Sequence, residues 1–524
     1  MNDISLAPLD IGIIIGYFIV IIVIGIVVAR KTDTGEDLFL AGRSLGWGVI
    51  GFSLFASNIS STTLIGLTGQ AYQTGISVSN YEWMAAVVLV FMAIFFIPFY
   101  IRSKIDTIPE FLERRFDVRS RKYFSVITIF LSIIVDTAGG LYAGAIVVNV
   151  FFPEIDIIYT ILALGIFAGL YTAAGGLKAV VYTDVLQAII LIFGSSMIAY
   201  LMFAEFDFSW SAAIASVPDG NLSMIRPIDD SALPWLGTLI GVPILGFYYW
   251  GTNQYIVQRV LGARDIKNAR WGALLGGFLK LPVLFIMVIP GVFAFSIFPN
   301  LTDPDMVFPT MVANMLPVGI TGIVLAGLIA AIMSSIDSTL NSASTLITMD
   351  FIKPRNPNLT AKETGKIGRW TTIILMAVAC TWAPLIEQFD GIFQYIQEAF
   401  AYIVPPVVAI FILGMFWRRG NRHAAFWTLV SGHSLSAFIF VLVQMEIVTI
   451  HFTITAGLLT LICCVIFAVT SVLGEKPDPK QIDDVIFKTK DIRPEEPDTP
   501  LLKDYRFHSV IVLILTTALV ISFW

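Results

Sequence analysis

A lysine interrupts the apolar run Phe278-Leu279-Lys280-Leu281-Pro282-Val283-Leu284-Phe285. An ammonium at that depth in hydrocarbon costs about 2.5 to 3.5 kcal/mol on insertion scales unless an anion or a wet cavity answers it. Four acids in other apolar stretches could do so: Glu82, Asp136, Asp184 and Asp337. Charges of both signs held in hydrocarbon suit a chain that passes something polar through it.

A second constellation lies in IAAIMSSIDSTLNSAST. Ser334, Asp337, Ser338, Asn341 and Thr345 recur at three- and four-residue steps and so share one helix face, which Ser335 and Ser342 widen. Oxygen ligands suit a small hard cation such as sodium. Backbone carbonyls freed near Ser60 by an unwound helix, opposite Ser334 and Ser335, would complete a weak cage. Asp184 is open to two readings, a helix N-cap or, with Asp337 or Ser338 nearby, a ligand for a second ion.

The elements that must position these groups are membrane helices. Stretches of roughly 20 apolar residues cross about 30 Å of hydrocarbon. They occur at 11–30, 46–67, 79–101, 121–151, 157–174, 179–204, 235–258, 269–297, 317–348, 367–387, 391–417, 423–444, 452–474 and 507–524, which predicts fourteen spans in an all-α polytopic fold. The second span holds Ser57-Asn58-Ile59-Ser60-Ser61-Thr62-Thr63, whose short polar side chains compete for backbone hydrogen bonds and favour local unwinding. The seventh holds Pro243, Gly246 and Gly251 around Phe247-Tyr248-Tyr249-Trp250. Two broken helices at matching places in two five-helix halves point to an inverted-repeat transporter with its site at the midplane.

Composition agrees: 57% of residues are hydrophobic and 13% charged, with a mean hydropathy of +0.83. MNDISLAPLD carries no basic residue before the first apolar run, so a cleaved leader is not expected. Cys380, Cys463 and Cys464 lie in apolar segments without metal-ligand spacing, and no glycine-rich phosphate loop is present, which argues against a disulfide framework, a zinc site and nucleotide-driven pumping. With the N-terminus outside, the fourteen-span topology places all of the 32 Lys and Arg except Arg226 and Lys280 at cytoplasmic loops or helix ends. Both termini are then external. The expected organisation is an N-terminal external segment and extra helix (1–45), a first repeat (46–204), an acidic external loop (205–234) and a second repeat (235–417). Two peripheral helices (418–474), a surface-lying cytoplasmic linker (475–506) and a last helix (507–524) follow.

FASNISSTTLIGL, SVSNYEWM, AAGGLKAVVYTDVLQ, YYWGTNQYIVQR, GGFLKLPV, SSIDSTLNSASTLITMD, FQYIQE and LGMFWRR, in this order, resemble the sodium/solute symporter family, and within it the sodium/glucose (galactose) cotransporter branch. The resemblance runs from about residue 35 to about residue 430 and implies a LeuT-type five-plus-five inverted repeat, with one helix before it and three after. It implies a sodium site at the backbone carbonyls of Ala56, Ile59 and Ala331 with the hydroxyls of Ser334 and Ser335. It also implies a sugar pocket at Asn58, Glu82, Lys280 and Gln397, an outer gate of Leu67, Tyr81 and Phe393, and an inner gate at Tyr249 with Trp250 beside it. Sugar hydroxyls both donate and accept, so a carboxylate, an ammonium and two amides can hold them while an aromatic ring covers the apolar face.

The sequence departs from that pattern. Thr63 stands where sugar-carrying relatives usually have Gln or His, Gly246 where they have Asn or Thr, and Ala85 where the bacterial galactose carrier has Ser. Shortened side chains shift which hydroxylated solute fits. Asp337 replaces a small residue and, with Asp184 and Ser338, resembles a second sodium site. Asp136 stands where the galactose carrier has Asn and would touch substrate or neutralise Lys280.

The expected function is sodium-coupled import of a sugar or related polyol across a membrane, with sodium as the coupling ion and no nucleic-acid partner. Three rivals remain at this point: an amino-acid or carboxylate symporter of the same fold, a non-transporting solute sensor, and an enzyme using Lys280 as nucleophile. The linker at 475–506 is too short for the signalling domain a sensor needs, and no catalytic constellation accompanies Lys280.

Overall fold

A computed structural model describes residues 6–29, 41–105, 107–172, 177–483, 485–493 and 499–524. The expected boundaries near residue 30 and within 173–176 lie outside the described residues. The chain is almost entirely helical. It opens with α1 (Pro8–Ala29), then α2 (Trp47–Asn58) and α3 (Ser61–Thr74), α4 (Asn80–Phe95) and α5 (Val118–Phe130). A π-helical turn at Leu131–Thr137 leads into α6 (Ala138–Phe151), followed by α7 (Ile157–Thr172) and α8 (Leu177–Ala204).

The seventh apolar segment is cut into pieces: α9 (Trp235–Ile240), α10 (Val242–Phe247), a π turn at Tyr248–Thr252, then α11 (Gln254–Leu261). Next come α12 (Ile266–Lys280), α13 (Ile289–Ile297), α14 (Val307–Met315), α15 (Ile320–Leu346) and α16 (Ala361–Trp382). The last elements are α17 (Ile392–Ile403), α18 (Pro405–Phe416), α19 (Arg422–Gln444), α20 (Phe452–Leu473) and α21 (Tyr505–Ser522).

Among the described residues, nine helices are long and apolar enough to cross a membrane, and two bent pairs raise the number to eleven. The expected fourteen is not reached on those criteria. Pro8–Val20 and Ile157–Ile166 are apolar but shorter, and the seventh segment is too fragmented to qualify.

The first break falls where the hydroxyl cluster predicts it. Ile59 (ψ 55°) and extended Ser60 (ψ 175°) separate α2 from α3, which meet at 55°. The hydrogen-bond ladder stops with Ile59 N–H donating to the Phe55 carbonyl at 2.8 Å and resumes with Leu64 N–H donating to Ser60 at 2.9 Å. Between them the carbonyls of Ala56 and Ile59 receive no main-chain N–H among the described residues. The second break comes slightly later than its breakers suggest, at extended Asn253 after the π turn. A third bend of 55°, between α17 and α18, kinks the span read at 391–417. Pro405 and Pro406 have no N–H to give to the preceding turn, so the ladder fails there.

Helix α12 lies against α2 and α4 along much of its length, and α15 is held by α8, α16 and the π turn at 131–137. Small residues permit the first contact: a Cβ on Gly272 would lie 2.5 Å from Ile50 Cγ2, and one on Gly51 2.6 Å from Leu275 Cδ2. The extra helix α1 contributes one carboxylate to the core. Buried Asp10 accepts from the N–H groups of Gly319 and Gly322, at 2.7 and 2.8 Å. It thereby caps the start of α15 from another helix, where four N–H groups lack intrahelical partners. The segment expected as a surface-lying linker is partly docked, with Val485, Ile486 and Asp491 buried.

Candidate functional site

Three helices bring one polar knot together. Lys280 ends α12, Glu82 lies in the first turn of α4, and Asn58 closes α2 at its break. The Lys280 ammonium donates to Glu82 Oε2 at 2.6 Å and to the Asn58 Oδ1. The rings of Phe55 and Trp250 lie 5.7 and 5.3 Å from its Nζ, within cation–π range. Lys280 is thus answered by Glu82 and not by Asp136.

A cavity opens on the other side of this knot. It is lined by Asn58, Thr63, Glu82, Asp136, Tyr249, Trp250 and Gln397, all of them expected substrate contacts, and by Tyr81 and Phe393 of the expected outer gate. Lys280 does not line it, whereas its two partners Glu82 and Asn58 do. The three departure positions Thr63, Ala85 and Gly246 all line it, so the shortened side chains widen this same space. The Thr63 hydroxyl turns back onto the Asn58 carbonyl.

Aromatic side chains line the cavity in two clusters. Tyr81 and Phe393 meet edge to face at 5.2 Å between centroids. Leu67 is fully buried rather than cavity-lining, but its neighbour Gly66 touches the gate: a Cβ there would lie 2.8 Å from Phe393 Cβ. In the second cluster the Tyr249 hydroxyl lies 2.8 Å from that of Tyr255 and 3.5 Å from the Ser57 carbonyl, with Trp250 packed on its ring at 5.1 Å. The start of α17, which carries Phe393 and Gln397, is held by Asp305 Oδ2 accepting from Ile392 N–H at 2.9 Å. In the chain, Asp305 falls in the connection between the candidate spans Ile266–Ile297 and Ile320–Arg355, outside both. Burial first, and Asp303 second, push its carboxyl up to about 7.

Ser335 of α15 also lines the cavity, so the candidate cation ligands adjoin the candidate substrate space. Ser334 Oγ donates to Asp184 Oδ1 at 2.6 Å. Ala56, Ile59 and Ala331 are buried, and the first two have the open carbonyls described above. Asp184 sits inside α8 rather than at its start, so it does not cap that helix. Its Oδ2 accepts from Ser53 Oγ at 2.6 Å and from Arg259 Nη2 at 3.1 Å. The same Arg259 nitrogen reaches Ser338 Oγ at 3.3 Å. Asp337 is buried on the same helix. Arg259 was not among the residues singled out from the sequence. It ends an apolar segment like many basic residues, and only the need of buried Asp184 for a cation could have drawn attention to it.

Comparison with known proteins bears on this arrangement. The model of the sodium:solute symporter family matches residues 38–432. Sodium/myo-inositol cotransporter 2 of Homo sapiens is 37% identical over 466 residues, covering 82% of this chain and 69% of the relative. A sodium/glucose cotransporter of Vibrio parahaemolyticus is 34% identical, covering 83% of this chain and 86% of the relative. In three dimensions, a Na+-coupled sialic acid symporter in its substrate-bound outward-open state superposes with a TM-score of 0.78 at 21% identity, over 90% of this chain and 99% of the other. A nucleobase-cation-symport-1 family transporter in a closed conformation gives 0.58 at 14% identity, over 87% of this chain and 99% of the other.

Proposed function

The chain belongs to the sodium:solute symporter family, and from that premise we propose that it is a sodium-coupled secondary active symporter importing a sugar or related polyol by alternating access. One observation carries the proposal. The cavity sets carboxylate, amide and hydroxyl groups beside the aromatic faces of Tyr249 and Trp250, the pairing of donors, acceptors and ring faces that a polyhydroxylated ring requires.

In this reading the cargo is held by Asn58, Thr63, Glu82, Gln397, Tyr249, Trp250 and Asp136, and Lys280 keeps Glu82 and Asn58 oriented. Sodium binds at the carbonyls of Ala56, Ile59 and Ala331 and the hydroxyls of Ser334 and Ser335. The open carbonyls at the α2–α3 break support this, since they can accept a hard cation without breaking a main-chain bond. Leu67, Tyr81 and Phe393 close the outer side, and Tyr249 the inner. α1, α7 and the fragmented seventh segment also cross the membrane, giving fourteen spans, both termini external and two inverted five-helix repeats at 46–204 and 235–417.

Sodium entering down its gradient supplies the free energy, to which membrane potential adds about 2.3 kcal/mol per charge per 100 mV. Cargo and sodium raise each other's affinity, because binding linkage is reciprocal. A second sodium would use Asp184, Asp337 and Ser338. An Asp337→Ala variant with unchanged Hill coefficient and charge-to-substrate ratio would exclude it.

The deciding experiment is uptake of labelled hexoses, inositol and amino acids into proteoliposomes, with and without an inward sodium gradient. Sodium-dependent accumulation of a sugar or polyol, lost in Ser335→Ala, is expected. Accumulation of an amino acid alone would overturn the cargo assignment, and silence across the panel would overturn symport.

A further inference from the structure

Glu82 and Asp136 line the cavity, whereas no lysine, arginine or histidine does so among the described residues. The two acids are differently placed. Glu82 is engaged by the Lys280 ammonium at 2.6 Å. Asp136, on the π turn at 131–137, accepts a hydrogen bond from the Asn253 side-chain amide. Its Oδ2 is buried with no hydrogen-bond partner among the described residues. The sequence offered two roles for Asp136, substrate contact or neutralising Lys280, and the Glu82–Lys280–Asn58 knot removes the second.

We infer that Asp136 makes this cavity a charge filter, admitting neutral polyols and their amine-bearing derivatives and refusing carboxylate-bearing ones. The inference rests on the cavity being the cargo site, as proposed above. Asp136 lines the cavity and its own partners leave part of its carboxyl unsatisfied, so cargo that brings an O–H or N–H to that carboxyl relieves it. An ammonium on the cargo relieves it further through a charge-assisted hydrogen bond. When Asp136 is ionised, a carboxylate on the cargo places a second anion in the same enclosure and brings no donor, a repulsive element of the kind that selects between otherwise similar ligands. Lys280 does not offset this, because it does not line the cavity and its ammonium is already held by Glu82 and Asn58.

The test uses the full chain in proteoliposomes at mildly alkaline pH, where the Asp136 carboxyl is ionised, with the membrane potential clamped to zero. Glucosamine and glucuronate compete against a labelled neutral hexose or inositol. In the wild type, glucosamine should compete at least as well as glucose, and glucuronate on the order of tenfold or more worse. Asp136→Asn should remove the glucosamine advantage and narrow the glucuronate penalty by a similar factor. Equal competition by glucuronate and glucose in the wild type would overturn the inference, as would unchanged ratios in an active Asp136→Asn. Asp136→Ser, also neutral, is the second variant should the first not fold. Failure of every neutral solute to accumulate would instead sink the symport reading. Ligand-induced thermal stabilisation of the purified chain by the same three solutes would then still rank them by charge.

Discussion

The Lys280 ammonium and the Glu82 carboxylate lie 2.6 Å apart with both side chains almost wholly withdrawn from solvent, at 0% and 7% exposure. Such a pair contributes little net stability when intact, because desolvation offsets the attraction, but breaking it leaves a buried charge unanswered. Glu82→Gln is therefore expected to destabilise the fold by about 3–5 kcal/mol, read as a loss of denaturant or thermal resistance in detergent. The double variant Glu82→Gln/Lys280→Met should recover much of that. If the double variant is no more stable than the single one, the pair is not what Glu82 contributes.

The contact between Ser334 Oγ and Asp184 Oδ1 makes a separate prediction. Donating its proton to Asp184 leaves the Ser334 oxygen with lone pairs turned toward the proposed sodium. Asp184→Asn can present an N–H instead and reverse that polarity. The half-saturating sodium concentration for uptake should rise about tenfold, equivalent to about 1.4 kcal/mol, with substrate affinity at saturating sodium little changed. Because the substitution also strands the Arg259 guanidinium, Asp184→Asn/Arg259→Met separates lost sodium affinity from lost stability. An unmoved sodium titration in a folded Asp184→Asn would refute the orienting role.

How much of this was legible in the sequence follows from the range of the forces involved. The break at 57–63 could be read because its cause is local: hydroxyl and amide side chains compete for the backbone where they stand. The Lys280–Glu82 pair could be anticipated because a charge in hydrocarbon demands a partner, although Asp136, Asp184 and Asp337 met the same demand on paper. Arg259 could not be singled out, since its partner depends on how α8, α11 and α15 converge. The same holds for Asp10, whose carboxylate serves a helix more than 300 residues away. The bend at Pro405-Pro406 had a visible local cause, but the unbroken hydropathy across 391–417 masked it. Fourteen apolar stretches were countable, and Pro243, Gly246 and Gly251 announced a break in the seventh; its place at Asn253 after the π turn, in a segment that packs against α2 and α4, had no such local signal.

Asp305 ties the start of α17 to the turn that precedes α14, and its carboxyl is raised to about 7, from about 3.9 in an unfolded chain. The folded chain therefore holds a proton that the unfolded chain has released between about pH 4 and pH 7. Stability from this group is full below that window and is lost as pH rises through about 7. Wild-type thermal midpoints should accordingly fall between roughly pH 6 and roughly pH 8. Asp305→Asn keeps an acceptor for Ile392 N–H without the ionisation, and its midpoint should fall less over the same interval. Parallel curves for the two proteins would show that Asp305 does not titrate there.

Residues 485–493 form a strap across the ends of α4, α12 and α18. Phe487 N–H donates to the Met415 carbonyl at 3.0 Å, and its ring meets Phe95 and Phe416 at 5.2 and 5.5 Å. Asp491 pairs with Arg102 at 2.8 Å, and its carbonyl accepts from Arg270 of α12. Arg270 in turn donates to Ala93 of α4 at 3.1 Å and lies 4.1 Å over the Tyr505 ring. Because Arg102 is 43% exposed while Asp491 is 3% exposed, the ion pair itself is partly screened, and Asp491→Ala should cost only about 1–2 kcal/mol globally. Locally the effect is larger. Without Asp491 the Lys488 N–H loses its 3.0 Å acceptor, and hydrogen exchange across 485–493 should accelerate about tenfold or more while α15 and α8 stay protected. If the strap also restrains α4 and α12 against α18 during transport, turnover should rise with substrate affinity unchanged. Faster exchange with unchanged turnover would identify a passive brace, and unchanged exchange would mean that Asp491 does not hold the strap.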